Sequence, residues 1–224
     1  MAISEYAQFF REFRRDFHHT GAVLPSGSFL AAALARPVVE AASGARAILE
    51  VGPGTGSVTR AIARRLRPDD RLDCVEINPQ FAASLERRVQ EDALFAPHRD
   101  RVRVLTAAIQ EVPGEAVYDV IVCGLPFNNF TRDEITSIFA ALVRLVRPGG
   151  VLSYFEYALV RALKTPFVGR AERARLRAVS EVMGELIRKH QVGRTFVPLN
   201  VPPAIVRRLA LKPAACDASE LGVS

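Results

Sequence analysis

The stretch Ile48-Leu49-Glu50-Val51-Gly52-Pro53-Gly54-Thr55-Gly56-Ser57-Val58-Thr59 is the part of the chain that decides its fold. An apolar run gives way to three glycines at alternate positions, after which a helix-compatible segment begins. Glycine allows positive φ and lets a ligand lie against the main chain, and the following helix points unpaired N–H groups at the same place. The stretch therefore predicts a small-molecule cofactor site at the carboxyl end of a strand.

Strand-like and helix-like segments alternate downstream of this point. Predicted strands cover residues 47–51, 71–76, 101–106, 118–123 and 150–157, with predicted helices at 57–66, 79–94 and 131–146. Such alternation means a parallel sheet with right-handed crossovers and helices on both faces. We predict an α/β, Rossmann-like, doubly wound and mostly parallel sheet of seven strands, with an antiparallel last strand.

The two ends of the chain differ from this pattern. We predict N-terminal amphipathic helices over residues 1–36, serving as a lid or membrane contact, before a main domain over 37–212. A basic insertion over about 158–193 contains an arginine-rich helix near 171–190. Extended pieces at 194–200 and 204–211 are close enough to form an antiparallel pair at the sheet edge, and 213–224 is a tail.

Composition limits the class of protein. The 224 residues suit one ordinary domain, and 49% of them are hydrophobic. No apolar run approaches the roughly 20 residues that span a bilayer, and the N-terminus lacks a signal-peptide pattern, so we expect a cytoplasmic protein. The net charge of +6 favours an anionic partner such as RNA, DNA or acidic lipid. Three scattered cysteines predict neither a disulfide nor a zinc site.

The spacing of the glycines bears on the identity of the cofactor. It is G-x-G-x-G over Gly52, Gly54 and Gly56, not the G-x-G-x-x-G of dinucleotide sites. Glu76 ends the next predicted strand, where an acidic residue can accept hydrogen bonds from ribose hydroxyls. Glu50, directly before the glycines, can face the cationic amino end of methionine, whereas it would repel a pyrophosphate. These features favour S-adenosylmethionine over a nicotinamide dinucleotide.

At this point the chain resembles the class I S-adenosylmethionine-dependent methyltransferases, over roughly residues 46 to 157. Residues 50–56 look like their first motif, 75–78 like their ribose-binding motif, 122–127 like their fourth motif and 147–150 like the turn before strand five. The cofactor-binding residues that this resemblance implies are Glu50, Gly52, Gly54, Gly56, Glu76, Ile77, Ala108, Ile109 and Gly124.

One position departs from the family pattern. Many relatives end their third strand in Gly-Asp-Ala, and the Asp meets the adenine amino group. This chain has Ala107 there, which has no side-chain acceptor. Backbone from Ala108 and Ile109, or the Gln110 side chain, is the alternative adenine contact.

The motif after strand four bears on the methyl acceptor. Amino-group DNA and RNA methyltransferases often carry Asn-Pro-Pro-Tyr or Asn-Leu-Pro-Tyr there, with the Asn on the target amine and the ring stacked on the base. This chain has Gly124-Leu125-Pro126-Phe127, so the side-chain grip on a planar amine is lost while the ring is kept. The retained ring keeps an rRNA adenine dimethyltransferase as one alternative function, although the missing asparagine argues against it. A non-catalytic membrane- or RNA-binding module is the second alternative.

Gly-Leu-Pro in this place also resembles the soluble bacterial phospholipid N-methyltransferases. Three further features strengthen this resemblance: an aromatic N-terminal helix leading into residues 20–26, the run at 200–204, and the basic insertion. The resemblance implies stepwise methylation of phosphatidylethanolamine to phosphatidylcholine at the inner face of the cytoplasmic membrane. The implied substrate contacts are Leu125, Pro126, Phe127 and Asn128.

The N-terminal pattern is consistent with a membrane contact. Aromatic residues recur on one helical face, flanked by arginines, which is typical of an interfacial helix. The residues predicted to meet the membrane are Tyr6, Phe10, Phe13, Arg14 and Phe17. A helix packed on the domain's own core is the alternative, and both can hold if the helix is a lid.

A lipid ammonium must lose a proton before methylation, so a general base or an amine-favouring pocket is needed. Candidates are His18 or His19 in the N-terminal region, Tyr154 or Tyr157 after strand five, and the hydroxyls of Thr20 or Ser26. Aromatic walls at Phe127 and Tyr157 would suit the added bulk of methylated ammonium groups. Asn128 and Asn129 either orient the amine or cap the helix that begins near Thr131.

Overall fold

The structure is a computed structural model, and it describes residues 27–41, 44–158 and 169–212. The predicted membrane residues Tyr6, Phe10, Phe13, Arg14 and Phe17, the candidate base His18 and the predicted tail at 213–224 lie outside the described residues. Their roles remain predictions from the sequence.

The central feature is a seven-stranded sheet with the order β3-β2-β1-β4-β5-β7-β6. Its strands are β1 Ala47–Val51, β2 Arg71–Glu76, β3 Val102–Thr106, β4 Tyr118–Cys123, β5 Val146–Tyr157, β6 Gln191–Val197 and β7 Ala204–Leu209. Strands β1 to β5 pair in parallel, while β7 pairs antiparallel with both β5 and β6. The predicted Rossmann-like, doubly wound α/β fold is confirmed, and β7 is the antiparallel last strand.

Six α-helices lie in the described part of the chain. They are α1 Ser28–Leu34, α2 Arg36–Glu40, α3 Ser57–Ala63, α4 Pro79–Glu91, α5 Arg132–Leu145 and α6 Arg170–His190. Local chemistry accounts for two of the starts. Asn78 caps α4 by accepting a hydrogen bond from Gln80 N at 2.9 Å, and proline follows at the first helical position. Thr131 and Glu134 form a capping box at the start of α5. The cap of α5 is therefore Thr131, not Asn128 or Asn129.

Two apolar cores lie on the opposite faces of the sheet. On one face, α5 and α6 cover β4 and β5, with Ile135, Leu142 and Met183 among the buried residues. On the other face, α1 and α3 cover β1 and β2. Leu30 and Leu34 of α1 are fully buried there. The described part of the region predicted as a lid therefore packs in the core on this face of the sheet.

Four strands differ from their predicted bounds: β3 begins one residue later, β7 ends two residues earlier, and β5 and β6 differ more. β5 begins at Val146, because this residue pairs with Tyr118 before the chain bulges outward and resumes the ladder at Val151 opposite Val120. The turn predicted at 147–150 is thus contained in the strand. β6 begins at Gln191, directly after α6 ends, because Gln191 already pairs with Leu209. None of the helices in the described ranges is long and apolar enough to cross a bilayer.

Candidate active site

The glycine turn after β1 has the backbone conformation that its sequence predicts. Gly52, Gly54 and Gly56 all have positive φ, at 71°, 55° and 77°. A side chain at Gly52 would also meet its surroundings, because an added Cβ would lie 2.7 Å from Leu125 Cδ2. Gly56 is the N-cap of α3, so the turn delivers that helix's first N–H groups to the carboxyl edge of the sheet.

Glu76 fastens this turn to the end of β2. Its two carboxylate oxygens accept hydrogen bonds from Gly54 N and from Asn78 N, each at 3.0 Å, and the residue is buried. A carboxylate has about four acceptor sites, so one such group can position neighbouring backbone and also accept from a ligand hydroxyl. The predicted ribose-binding residue therefore also positions two loops around the cleft.

A cleft that is partly open to solvent lies between the ends of the strands. Its walls contain six of the residues predicted from the sequence to hold the cofactor or substrate: Gly52, Glu76, Ile77, Ala108, Ile109 and Leu125. Sequence reasoning missed Phe130 and Ile138, which also line it. The apolar periodicity of α5 could have indicated Ile138, because it lies on the buried face of that helix.

One wall of the cleft contains the position at which the sequence departs from the family pattern. Ala107 lines the cleft and brings no side-chain acceptor. The Gln110 side chain also lines it, but its amide Nε2 donates to Ser137 Oγ at 3.2 Å. The polar groups of this wall are therefore the backbone of Ala108 and Ile109 and the side chain of Gln110.

Glu50 lies below the turn rather than in the lining of the cleft. It is 1% exposed, and Cys74 Sγ lies 3.6 Å from its Oε2. Burial raises the pKa of Glu50 to about 7; the neighbouring Thr59 hydroxyl and Cys74 thiol act to lower this pKa, and the Glu76 charge acts to raise it. The predicted contact with a ligand ammonium would thus place a positive charge above a carboxyl group that is only partly ionised near neutral pH.

Gly124 directly follows β4 and lies against the glycine turn. Its N–H donates to Val51 O at 2.8 Å, and a Cβ added to it would lie 2.8 Å from Gly52 O. Backbone atoms cannot give way as a flexible side chain can, so the close approach of the two strand ends requires glycine here. The predicted cofactor residues Gly52 and Gly124 therefore stand together.

The predicted acceptor motif is only partly presented to the cleft. Leu125 lines the cleft and Pro126 is half-buried beside it. Phe127, expected as an aromatic wall, is 2% exposed and packs in the core, with its ring centroid 5.2 Å from that of Phe139 and 5.6 Å from that of Tyr154. The short 3₁₀ turn Phe127–Asn129 directs this ring inward. The side chain of Asn128 lies outside the described part of the structure.

The two candidate tyrosines project from opposite faces of β5. Tyr154 belongs to the core under α5 and α6, is fully buried, and its hydroxyl donates to Glu156 Oε1 at 3.3 Å. Tyr157 packs in the core on the α1 side, with its ring 5.1 Å from that of Phe155. Burial raises the pKa of Tyr157 to about 12, so its hydroxyl is protonated at neutral pH. The two hydroxyls therefore cannot serve one amine together.

Comparisons with known proteins agree with this geometry. The sequence model of a methyltransferase domain family matches residues 48–150. An ornithine lipid N-methyltransferase of Singulisphaera acidiphila is 34% identical over 109 residues, which are 49% of this chain and 56% of that protein. Ribosomal RNA small subunit methyltransferase A of Rhodococcus erythropolis is 37% identical over 104 residues, or 44% of this chain and 32% of that protein.

Among solved structures, the O-methyltransferase TomG from Streptomyces achromogenes, in complex with S-adenosylmethionine, has a TM-score of 0.57 at 24% identity. The alignment covers 93% of this chain and 88% of that one, and it supports the fold alone. Against the first curated relatives, this chain spans between about a third and somewhat over half of their length.

The residues of the cleft fit S-adenosylmethionine. Three glycines leave room for a ligand beside the main chain, Glu76 supplies a carboxylate at the end of β2, and apolar walls flank it. In the described residues, no group of His, Cys, Asp or Glu is arranged to hold a metal ion. Residues 48–150 therefore form a methyltransferase domain of the S-adenosylmethionine-dependent type, as the order of the strands and the glycine turn also indicate.

Proposed function

We propose that the protein transfers methyl groups from S-adenosylmethionine to the primary amine of phosphatidylethanolamine, stepwise toward phosphatidylcholine, at the surface of the cytoplasmic membrane. The observation that carries the choice of acceptor is the contact between Gly124 and Gly52. An added Cβ at Gly124 would lie 2.8 Å from Gly52 O, so this backbone excludes the asparagine with which amino-group nucleic-acid methyltransferases grip a base.

The position of Phe127 supports the same choice. A flipped base needs an exposed ring face on which to stack, whereas Phe127 is 2% exposed and surrounded by other aromatic rings. The motif after β4 therefore presents neither the asparagine side chain nor an exposed aromatic ring with which to recognise a planar base. A tetrahedral alkyl amine needs neither of them.

A relative and the charge of the chain also favour a lipid. The Singulisphaera protein acts on ornithine lipid, which its name identifies as the acceptor of an N-methyl group. The net charge of +6 suits an anionic membrane surface. With the predicted aromatic and arginine-rich N-terminal helix, this charge supports a peripheral location on the inner face of the cytoplasmic membrane.

The proposed reaction asks the protein mainly to align its substrates. When bound, S-adenosylmethionine supplies an electrophilic methyl group, and the amine lone pair forms the new C–N bond as the C–S bond breaks, which leaves S-adenosylhomocysteine. Glu76 and the glycine turn would hold the cofactor, while Leu125, which lines the cleft, and the half-buried Pro126 would lie nearest the acceptor. Fixing the two reacting atoms in line lowers the entropic part of the barrier.

The amine must enter unprotonated, because an alkylammonium with a pKa of about 10 carries no lone pair. The raised pKa of Tyr157 keeps its hydroxyl neutral, so it can accept a hydrogen bond but is a poor proton acceptor. Tyr154 is buried and already donates to Glu156. These observations set both tyrosines aside and leave the N-terminal candidates, of which we propose the imidazole of His18 as the base.

Methyl transfer from labelled cofactor tests the proposal directly. The full chain is offered vesicles of phosphatidylethanolamine, vesicles of ornithine lipid and, separately, undermodified ribosomal RNA. Label in phosphatidylethanolamine, progressing to di- and trimethylated products, is the expected result. Label in ornithine lipid alone would identify that lipid as the substrate instead. Label in RNA alone would show that the protein is an RNA adenine methyltransferase. That function is the second candidate, because the Rhodococcus relative is a ribosomal RNA methyltransferase.

A further inference from the structure

The loop at residues 198–203 joins β6 to β7 on the same edge of the sheet as the cleft. The registers of β5, β6 and β7 establish the position of this loop. β6 runs in the direction of β5, since both pair antiparallel with β7, and Ala204 at the start of β7 lies between Val197 of β6 and Tyr157 of β5. Tyr157 is the last residue of β5, so the loop stands at the carboxyl edge of the parallel strands, where the cleft opens.

Two aliphatic side chains of this loop are turned to solvent. Leu199 is 68% exposed and Val201 is 70% exposed, the two highest values among the large hydrophobic residues that the structure describes. Between them Asn200 is 5% exposed and makes two hydrogen bonds, one from Gly27 N and one to Pro202 O. The loop is therefore pinned through its middle residue, and this pinning holds the aliphatic pair outward.

The surroundings of the loop add a ring and positive charge. Phe196, at the end of β6, is 59% exposed and follows the exposed Arg194 on the same face of that strand. Helix α6 runs toward the opposite edge, because it ends at His190 where β6 begins, so its first turns lie on the edge of the cleft. Arg173 and Arg177 are exposed on those turns.

We propose that this edge is the surface on which the protein rests on an anionic bilayer, with Leu199 and Val201 entering the headgroup boundary and the nearby arginines meeting lipid phosphates. Exposed aliphatic residues beside arginines suit such an interface. The inference rests on the proposed function, in that a membrane facing this edge would present the lipid amine to the cleft. A second copy of the chain on the same surface would obstruct that entry.

The chain contains no tryptophan, so one inserted tryptophan reports on a single position. Leu199→Trp is compared with Val39→Trp, a position on α2 that is 57% exposed and lies ahead of β1, away from the cleft edge. Vesicles of phosphatidylethanolamine and phosphatidylglycerol carry brominated acyl chains as the quencher. We expect quenching and a blue shift at position 199 and neither change at position 39.

A second pair of variants measures the contribution of the loop to binding. The double variant Leu199→Ser with Val201→Ser is expected to reduce partitioning onto the same vesicles at least about tenfold, because two aliphatic side chains no longer leave water. The control Val39→Ser is expected to bind like the unmodified protein. Methylation of phosphatidylethanolamine dispersed in detergent micelles should remain within about twofold in both, because no membrane has to be engaged.

The outcomes separate this inference from the proposed function. An unquenched tryptophan at position 199, or wild-type partitioning of the double serine variant, overturns the inference even if phosphatidylethanolamine is methylated. A quenched tryptophan without methylation of any lipid overturns the proposed function and leaves the membrane surface in place. Loss of a dimer in the double variant, measured by sedimentation without vesicles, would assign the surface to a second copy instead.

Discussion

Asn200 Oδ1 accepts a hydrogen bond at 3.1 Å from the backbone N–H of Gly27, 173 residues earlier in the chain. This contact joins two stretches that carry the resemblance to phospholipid N-methyltransferases, the one ending at Ser26 and the one beginning at Asn200. It sets the point at which the chain enters α1, and the second hydrogen bond of Asn200, to Pro202 O at 2.7 Å, sets the shape of the 198–203 loop.

Replacing Asn200 with alanine should therefore destabilise the fold. The variant leaves Gly27 N without its acceptor, and we expect the free energy of unfolding to fall by about 1–3 kcal/mol. Urea denaturation measures the change. Leu199→Ala is the control, since an exposed neighbour should change the same quantity by no more than about 0.5 kcal/mol. Equal stability of the two variants would mean that the Asn200 contact contributes nothing.

Glu76 is predicted to serve both the cofactor and the glycine turn. Glu76→Ala removes the ribose acceptor together with the partners of Gly54 N and Asn78 N, so we expect loss of cofactor binding by calorimetry and a lower unfolding free energy. Glu76→Gln keeps one acceptor oxygen and should weaken binding less, by about tenfold. Glu86→Ala, on the exposed face of α4, should leave the affinity unchanged. Unaltered affinity in Glu76→Ala would refute the placement of the ribose.

Much of the fold follows from the sequence, because buried parallel strands are short apolar runs with sharp ends. The bounds of β1, β2 and β4 agree with the prediction to the residue. The glycine turn and Glu76 were also predictable, since backbone conformation and strand order bring them together. The direction of side chains could not be predicted. No local sequence pattern indicates the 3₁₀ turn that buries Phe127 or the hydrogen bond between Asn200 and Gly27.

The raised pKa of Glu50 predicts a pH-dependent stability. In the folded protein its pKa is about 7, above the ordinary value of 4.5, so the folded state holds the proton more tightly. The contribution of Glu50 to the free energy of unfolding is therefore fully present below pH 4.5. It is lost as the pH rises through about 7, which lowers the free energy of unfolding by up to about 3 kcal/mol.

Glu50→Gln removes this titration while keeping the shape of the side chain. We expect the variant and the wild type to have similar unfolding free energies near pH 4 and the variant to become the more stable of the two by pH 8. Urea unfolding over this range measures the difference, in which the shared contributions of other carboxylates cancel. A difference that stays constant with pH would show that Glu50 ionises in the folded protein as it does in water.

The positions of Tyr154 and Tyr157 predict that neither is the base for the lipid amine. Tyr154→Phe keeps the ring packed against Phe127 and removes the hydroxyl that donates to Glu156 at 3.3 Å, so we expect the methylation rate to stay within about threefold. Tyr157→Phe should behave in the same way. Loss of a general base would instead cost about 100-fold or more. His18→Gln is the comparison variant, and a fall of that size in either tyrosine variant, with a lost basic limb in the pH profile, would reassign the base.

Gly124 provides the sharpest test of the choice of acceptor, because its role is steric. Gly124→Ala places a methyl group 2.8 Å from Gly52 O, and we expect the unfolding free energy to fall by about 1–3 kcal/mol, with weaker cofactor binding. Gly184→Ala is the matched control. An added Cβ there meets nothing within 4 Å, and the site lies inside α6, so the same substitution should stabilise the protein by roughly 0.5–1 kcal/mol.

Gly124→Asn extends this test from stability to specificity. If the backbone excludes any side chain at this position, the variant should bind cofactor poorly and gain no activity on undermodified ribosomal RNA. Because the ring of Phe127 remains buried, the asparagine would also have no stacked base to grip. A variant that folds like the wild type and methylates RNA adenine would show that Gly124 marks the substrate without being imposed by the fold, and it would remove the steric support for a lipid amine as the acceptor.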